Sequence, residues 1–161
     1  MSRNLCIGGI DPGSVNPGLA FWFGSEPQRI CAEDLPTVAG QVDAAGLAAR
    51  LEQMRPNVVV IERVGSMPGQ GVSSTFKFGV AFGLIQGVVA ALKIECHFVA
   101  PAVWKKHFRI GSDKEESRRV ALQLSPDRSD QFGRKKDHNR AEAALLARFA
   151  AEKILTNGGN L

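Results

Sequence analysis

Leu5-Cys6-Ile7-Gly8-Gly9-Ile10-Asp11-Pro12-Gly13 reads as a buried strand that delivers a carboxylate and then stops. Leu5, Cys6, Ile7 and Ile10 supply the apolar run. Pro12-Gly13 cannot extend a hydrogen-bonded ladder, so a turn follows. Gly18-Leu19-Ala20-Phe21-Trp22-Phe23 resumes as a second strand, which predicts a hairpin whose turn runs from Pro12 to Pro17. A carboxylate in so apolar a strand is costly unless a lysine, an arginine or a metal ion meets it. The competing reading is an Asp that merely shapes the turn ahead of Pro-Gly. The remainder of the chain separates the two.

Downstream, Arg29–Leu35 reads as a third strand ended by Pro36. From Val38 to Arg55 apolar residues fall at Val42, Ala45, Leu47, Ala48, Leu51 and Met54, a helical rhythm that Pro56 ends. Val58-Val59-Val60-Ile61 is an unbroken apolar run closing on a second carboxylate, Glu62. Such a run after a helix predicts a strand covered on both faces and parallel to the first. Gly65 to Ser74 is a glycine-rich loop attached to Glu62, and a helix is predicted over Thr75–Leu92, capped by Ser73 or Ser74. Gly79, Gly83 and Gly87 recur every fourth residue of it. Each costs about 1 kcal/mol relative to alanine, which is tolerated where another backbone comes close. That backbone is either this chain's own sheet or the same helix of a second subunit.

Glu95–Val99 is a further strand, Pro101–Phe108 a short helix carrying Trp104, Lys105 and Lys106, and Lys114–Leu124 another with Arg118 and Arg119. Pro126–Lys136 reads as a polar loop, and Asn139–Ile154 as the last helix, with Ala143, Leu146, Phe149 and Ala150 at helical spacing. The expectation is one α/β domain over residues 1–161, its tail frayed from about residue 156.

Composition narrows the class. The chain is 44% hydrophobic and 22% charged, without an evident signal peptide or apolar run of membrane-spanning length, so no membrane partner is expected. Cys6, Cys31 and Cys96 are scattered in strand-like runs, which fits reduced core residues of a cytoplasmic protein and argues against zinc. The net charge is only +4, but residues 101–136 carry ten Lys/Arg against five Asp/Glu. Such a basic segment is either a solvated face or a surface for a polyanion.

A third acidic group opens the last helix, in Lys135-Lys136-Asp137-His138-Asn139-Arg140-Ala141-Glu142. His138 and Glu142 are four apart and share a helix face. Asp137 stands at the helix start, where it can instead cap free amides. Acids from two strand ends and one helix, converging beside an α/β sheet, make an oxygen-rich site suited to Mg²⁺ or Mn²⁺. Two such ions, roughly 3.5–4 Å apart, serve in-line phosphoryl displacement.

These segments in this order resemble the RuvC-type Holliday junction resolvases, in their phage-like branch within the ribonuclease H-like superfamily. Ile10-Asp11-Pro12-Gly13-Ser14, Val59-Val60-Ile61-Glu62, Phe76-Lys77-Phe78-Gly79, Pro101-Ala102-Val103-Trp104-Lys105-Lys106 and Asp137-His138-Asn139-Arg140-Ala141-Glu142 carry the likeness, over about residues 5–152. It implies a mixed five-stranded sheet, an antiparallel hairpin followed by parallel strands, flanked by helices. It also implies a Mg²⁺-dependent homodimeric endonuclease, paired through the Thr75–Leu92 helix. Such an enzyme places two sites on a four-way DNA junction in a bacterial or phage-infected cell.

Metal ligands carry over to Asp11, Glu62 and Glu142, with either Asp137 or His138 as the fourth. A family lysine near the scissile phosphate maps to Lys114, with Lys105 and Lys106 as rivals. Arg134, Lys135 and Lys136 match phosphate positioning, and Lys77, Arg118 and Arg140 are further DNA-binding candidates. Two departures stand out: His138 and Asn139 where many members have an acid, and Gly65 where some present an aromatic wedge. Met67, Phe76 and Phe78 are the candidates to replace that wedge by stacking on bases.

Three other readings compete. The Ile-Asp-x-Gly-Ser start also opens the phosphate loop of actin-like ATPases and sugar kinases. Those need a second lobe and a second Asp-x-Gly loop, both absent from this sequence, so no nucleotide cofactor is expected. A ribonuclease H-like nuclease acting on other branched DNA or on RNA would use the same metals. A catalytically silent junction-binding protein would not need three acids.

Overall fold

The computed structural model of the protein describes residues 5–13, 15–65, 69, 71–157 and 161. β1 (Cys6–Asp11) and β2 (Gly18–Phe23) form the expected antiparallel hairpin, with Cys6 opposite Phe23 and Asp11 opposite Gly18. β3 (Ile30–Asp34) pairs antiparallel with β2. Next in the chain, β4 (Thr37–Val38) and β5 (Gln41–Val42) form a small separate ribbon. β6 (Val58–Glu62) lies parallel to β1, and β7 (Glu95–Val99) parallel to β6. The result is a mixed five-stranded sheet in the order β3-β2-β1-β6-β7.

Helices flank it. They are α1 (Ala44–Met54), α2 (Val72–Ala91), α3 (Pro101–His107), α4 (Lys114–Leu124), α5 (Ser129–Phe132) and α6 (His138–Thr156). Several boundaries differ from the sequence reading. The helix expected from Val38 starts only at Ala44, because Ala39 and Gly40 both take positive φ and turn β4 into β5. Asp43 then accepts a hydrogen bond from the Ala45 N–H and opens α1. α2 begins at Val72 with Gly71 as its cap residue, so Ser73 and Ser74 lie inside the first turn and neither caps it. The polar stretch before α6 is mostly short helix, with 3₁₀ turns at Pro126–Arg128 and Lys135–Asp137 on either side of α5.

Side-chain alternation sorts the sheet into two faces. Ile7, Val58 and Val60 pack with Trp104, Phe132, Leu146 and Phe149, on the side of α3 to α6. Cys6, Ile10, Val59 and Ile61 pack with Leu47, Leu51, Ile85 and Val89, on the side of α1 and α2. Each fully buried side chain of this size contributes about 1.5–3 kcal/mol, the scale against which a buried acidic site is set. Asp11 and Glu62 continue the first series by parity and so turn toward α6.

α6 lies unusually close to that face. A Cβ on Gly9 would run into the Ala143 carbonyl oxygen and come 2.8 Å from the Ala147 nitrogen, and one on Gly18 would strike the Asn139 carbonyl. Alanines at 141, 143, 144 and 147 on the helix are buried in the same seam. Small residues on both partners let the helix carry Glu142 down to the strand ends.

α2 packs through Ile85 and Val89 and leaves most of its surface uncovered. Gly79, Gly83 and Gly87 are exposed, with nothing among the described residues within 4 Å of where a Cβ would stand. The glycine stripe therefore does not pack on this chain's own sheet. By length and composition α2 is also apolar enough to cross a membrane, which corrects the expectation that no run reaches that length.

Candidate active site

Asp11, Glu62 and Glu142 are all buried, and one carboxylate oxygen from each lies within 4.8 Å of the others. Asp11 closes β1, its Oδ1 accepting a 3.0 Å hydrogen bond from the Gly13 N–H. Its Oδ2 is buried and has no hydrogen-bond partner among the described residues. Glu62 closes β6, and its Oε2 accepts from the Trp104 indole N–H at 3.2 Å. Glu142 comes from the second turn of α6. Its Oε1 accepts from the Ser117 hydroxyl at 3.2 Å and stands 3.2 Å from Lys105 Nζ.

This is an electrostatically unfinished site. Burial, then the charges of Glu62 and Glu142, hold the Asp11 carboxyl well above the ordinary range. Burial and the neighbouring Glu142 push Glu62 up to about 7, against the opposing influence of Lys105, Trp104 and Lys114. Two ionised carboxylates at such a separation repel by about 3–4 kcal/mol at an effective dielectric of ~20. One partly exposed lysine does not offset three such pairs. A divalent cation does, and the donors are all hard oxygens, as Mg²⁺ and Mn²⁺ prefer. The unpartnered Asp11 Oδ2 is the atom that such an ion would satisfy.

The other site candidates fall elsewhere. Asp137 is buried but lies outside the carboxylate cluster. Its oxygens accept from the Arg134 N–H at 2.8 Å, from Arg134 Nε at 3.1 Å and from Arg134 Nη2 at 2.8 Å. Arg140 approaches the same carboxylate at 3.7 Å. Burial would raise the Asp137 carboxyl, but these bonds bring it below its ordinary value. His138 is also outside the cluster. Its Nδ1 lies 3.2 Å from the Lys135 carbonyl, to which it donates, leaving Nε2 to accept from Lys114 Nζ at 3.1 Å. The structure brings neither of the two expected fourth ligands into the acidic group: Asp137 is bound by arginine, and His138 is turned to Lys114.

Among the basic candidates, three arginines are hydrogen-bonded within the chain, although Arg134 is exposed. Arg118 donates to the Phe132 and Gly133 carbonyls, both at 3.0 Å. Arg134 is bound to Asp137, and Arg140 grips both carboxylate oxygens of Asp34 at 2.6 and 2.8 Å. All three arginines expected at the DNA therefore also hold partners within the chain. Lys77, Lys106, Lys114, Lys135 and Lys136 are exposed, and Lys105 is half-buried at the acidic cluster. Phe76 is 72% exposed and Phe78 half-buried, whereas Met67 lies outside the described residues.

Three residues outside the predicted site set also build it. Trp104 and Ser117, both fully buried, each hold one of the acids. Asn139 donates through Nδ2 to the Val15 and Asn16 carbonyls, at 2.6 and 2.9 Å, and so pins the turn that follows Asp11. The one pointer in the sequence is the tryptophan set directly before Lys105 and Lys106.

The fold superposes on solved structures. Over 98% of its length the chain matches 99% of Thermus thermophilus RuvC in complex with a Holliday junction substrate, with a TM-score of 0.72 at 18% identity. The chain shares the fold of RuvC. The fowlpox virus Holliday junction resolvase shares it, at TM-score 0.55 and 15% identity over 95% of this chain and 99% of that one. The yeast mitochondrial Holliday junction resolvase Ydc2 does too, at 0.52 and 17% over 92% and 78%. No family model and no curated protein matches the sequence. The resemblance read from the sequence motifs and the likeness in fold are thus separate observations that agree.

Proposed function

We propose that this protein is a DNA endonuclease that resolves four-way junctions by paired symmetric nicks, acting in the cytoplasm as a single-domain subunit of a homodimer. The observation that carries the reading is the Asp11–Glu62–Glu142 cluster with its unpartnered Asp11 oxygen, at the ends of adjacent parallel strands. The likeness to a RuvC solved on junction DNA supports the choice of substrate.

Asp11, Glu62 and Glu142 would hold the divalent ions. Bound there, magnesium or manganese supplies the Lewis acidity for phosphodiester hydrolysis. The chain's own residues do the rest. Trp104 and Ser117 fix the orientation of Glu62 and Glu142. Lys105 and Lys114 border the cluster and hold the scissile phosphate. Lys77, Lys106, Lys135 and Lys136 meet the DNA backbone as exposed ammonium groups, which makes binding strongly salt-dependent. α2 supplies the contact between subunits. Its exposed Phe76, Val80 and Leu84, with bare glycines alongside, suit a second helix laid close against it.

The test is cleavage of a synthetic four-way junction in Mg²⁺ or Mn²⁺, beside linear duplex and an RNA–DNA hybrid. Nicked duplex products from the junction alone support the reading. Preference for the hybrid makes the protein a ribonuclease H-like nuclease of another kind, and no cutting of any substrate makes it a binding protein. Sedimentation equilibrium reads the subunit count, with Leu84→Glu expected to give a monomer.

A further inference from the structure

Trp104 is among the largest fully buried side chains, which by itself describes an ordinary core residue. Its hydrogen bond is not ordinary. The protein's other tryptophan, Trp22, satisfies its indole N–H on the backbone carbonyl of Pro27 at 3.0 Å, five residues away. Trp104 instead spends its one donor on Glu62 Oε2, across 42 positions of sequence. An indole can donate but never accept, so the Glu62 oxygen that it meets is fixed as an acceptor. The next residue, Lys105, places Nζ 5.2 Å from the Trp104 ring centroid and 3.2 Å from Glu142. Two successive residues of α3 thus address two different acids of the cluster.

We propose that Trp104 is a positioning residue for cation binding: its indole N–H holds Glu62 Oε2 and leaves Oε1 as the oxygen offered to the ion. Groups that orient a ligand from behind typically change metal affinity by about 10–100-fold when removed. The inference rests on the cation-site reading above. It adds a residue to which the acidic cluster alone does not point.

The experiment uses the full chain labelled with ¹⁵N, without DNA. Its two tryptophans give two indole signals, and Trp22 is the internal control. On addition of Mg²⁺ the Trp104 indole signal is expected to shift to saturation while that of Trp22 stays fixed. Calorimetry should show Trp104→Phe binding Mg²⁺ about 10-fold more weakly than the unmodified protein. In a Glu62→Gln background the same substitution should add no further loss. Backbone signals of Asp11 and Glu142 that respond to Mg²⁺ while the Trp104 indole does not, together with an unchanged Kd for Trp104→Phe, would overturn the inference and leave the cation site standing. No response from any of these signals would remove the cation site and the inference together. Where Trp104→Phe fails to fold, the indole titration of the unmodified protein still decides.

Discussion

Two groups of acids meet the start of α6, and they have opposite fates. Asp11, Glu62 and Glu142 crowd together with Lys105 as the cation in direct contact. Asp137 and Asp34, on the other side of the same helix start, are bridged by Arg140, with Arg134 closing over Asp137. Burial raises the carboxyl of Asp11 and would raise that of Asp137. At Asp11 and Glu62 the opposing hydrogen bonds and lysines do not reverse it. In the second, hydrogen bonds from arginine carry Asp137 below its ordinary value, and the Arg140 fork does the same for Asp34. Burial of an acid therefore does not mark a cation site; burial without compensation does.

The strongest way to break that contrast is to neutralise the uncompensated group. Asp11→Asn or Glu62→Gln should reduce junction cutting by roughly 1,000-fold or more, about 4 kcal/mol in the barrier. Junction binding in a gel-shift assay should persist or tighten, because one fewer negative charge opposes the phosphate. Unchanged cutting by either variant would remove these acids from the site.

Asp137→Asn tests the other side. It strips Arg134 and Arg140 of their shared anion and should cost about 3 kcal/mol in urea unfolding. Cutting should survive in the folded fraction. A loss of cutting as deep as that of Asp11→Asn would instead return Asp137 to the catalytic group.

The two groups also differ in pH dependence. Folding raises Glu62 from 4.5 to about 7, so between those values the folded chain binds more protons than the unfolded one. Stability of the metal-free protein should therefore fall as pH rises through that window, by on the order of 2–3 kcal/mol. Asp137, with a lowered value, has the opposite sign: its contribution is present above the ordinary Asp range and lost as pH falls below it. Urea midpoints from pH 5 to 8 would read the first effect, which Glu62→Gln should flatten. A midpoint that rises with pH across the window would contradict the electrostatics described here.

Arg140→Gln is the mildest break. The Asp34 end of its bridge is half-exposed, so solvent screening limits the loss to roughly 0.5–1 kcal/mol. A thermal melt displaced by more than a few degrees would mean that Arg140 supports Asp137 more than the 3.7 Å separation conveys.

Much of the frame was legible in the chain. Alternation along Ile7–Asp11 and Val58–Glu62 puts both terminal acids on one face once the strands are parallel. The four-residue spacing of the glycines in α2 was equally visible, but not where they point. Nothing in that spacing distinguishes a helix pressed on its own sheet from one open to a partner. The start of α1 was misplaced because Val38 and Val42 fit a helical rhythm that the positive φ of Ala39 and Gly40 interrupts.

The sequence by itself determined the five strands of the main sheet, their hidden acids and the basic character of the segment that follows, because periodicity and charge are local properties of a chain. Only the tertiary structure decided which acids stand together and which cations answer them. Glu62 and Trp104, Ser117 and Glu142, and Asp34 and Arg140 meet across 42, 25 and 106 positions. Contacts of that kind follow from how closely α6 seats on Gly9 and Gly18, a packing distance that no local pattern records.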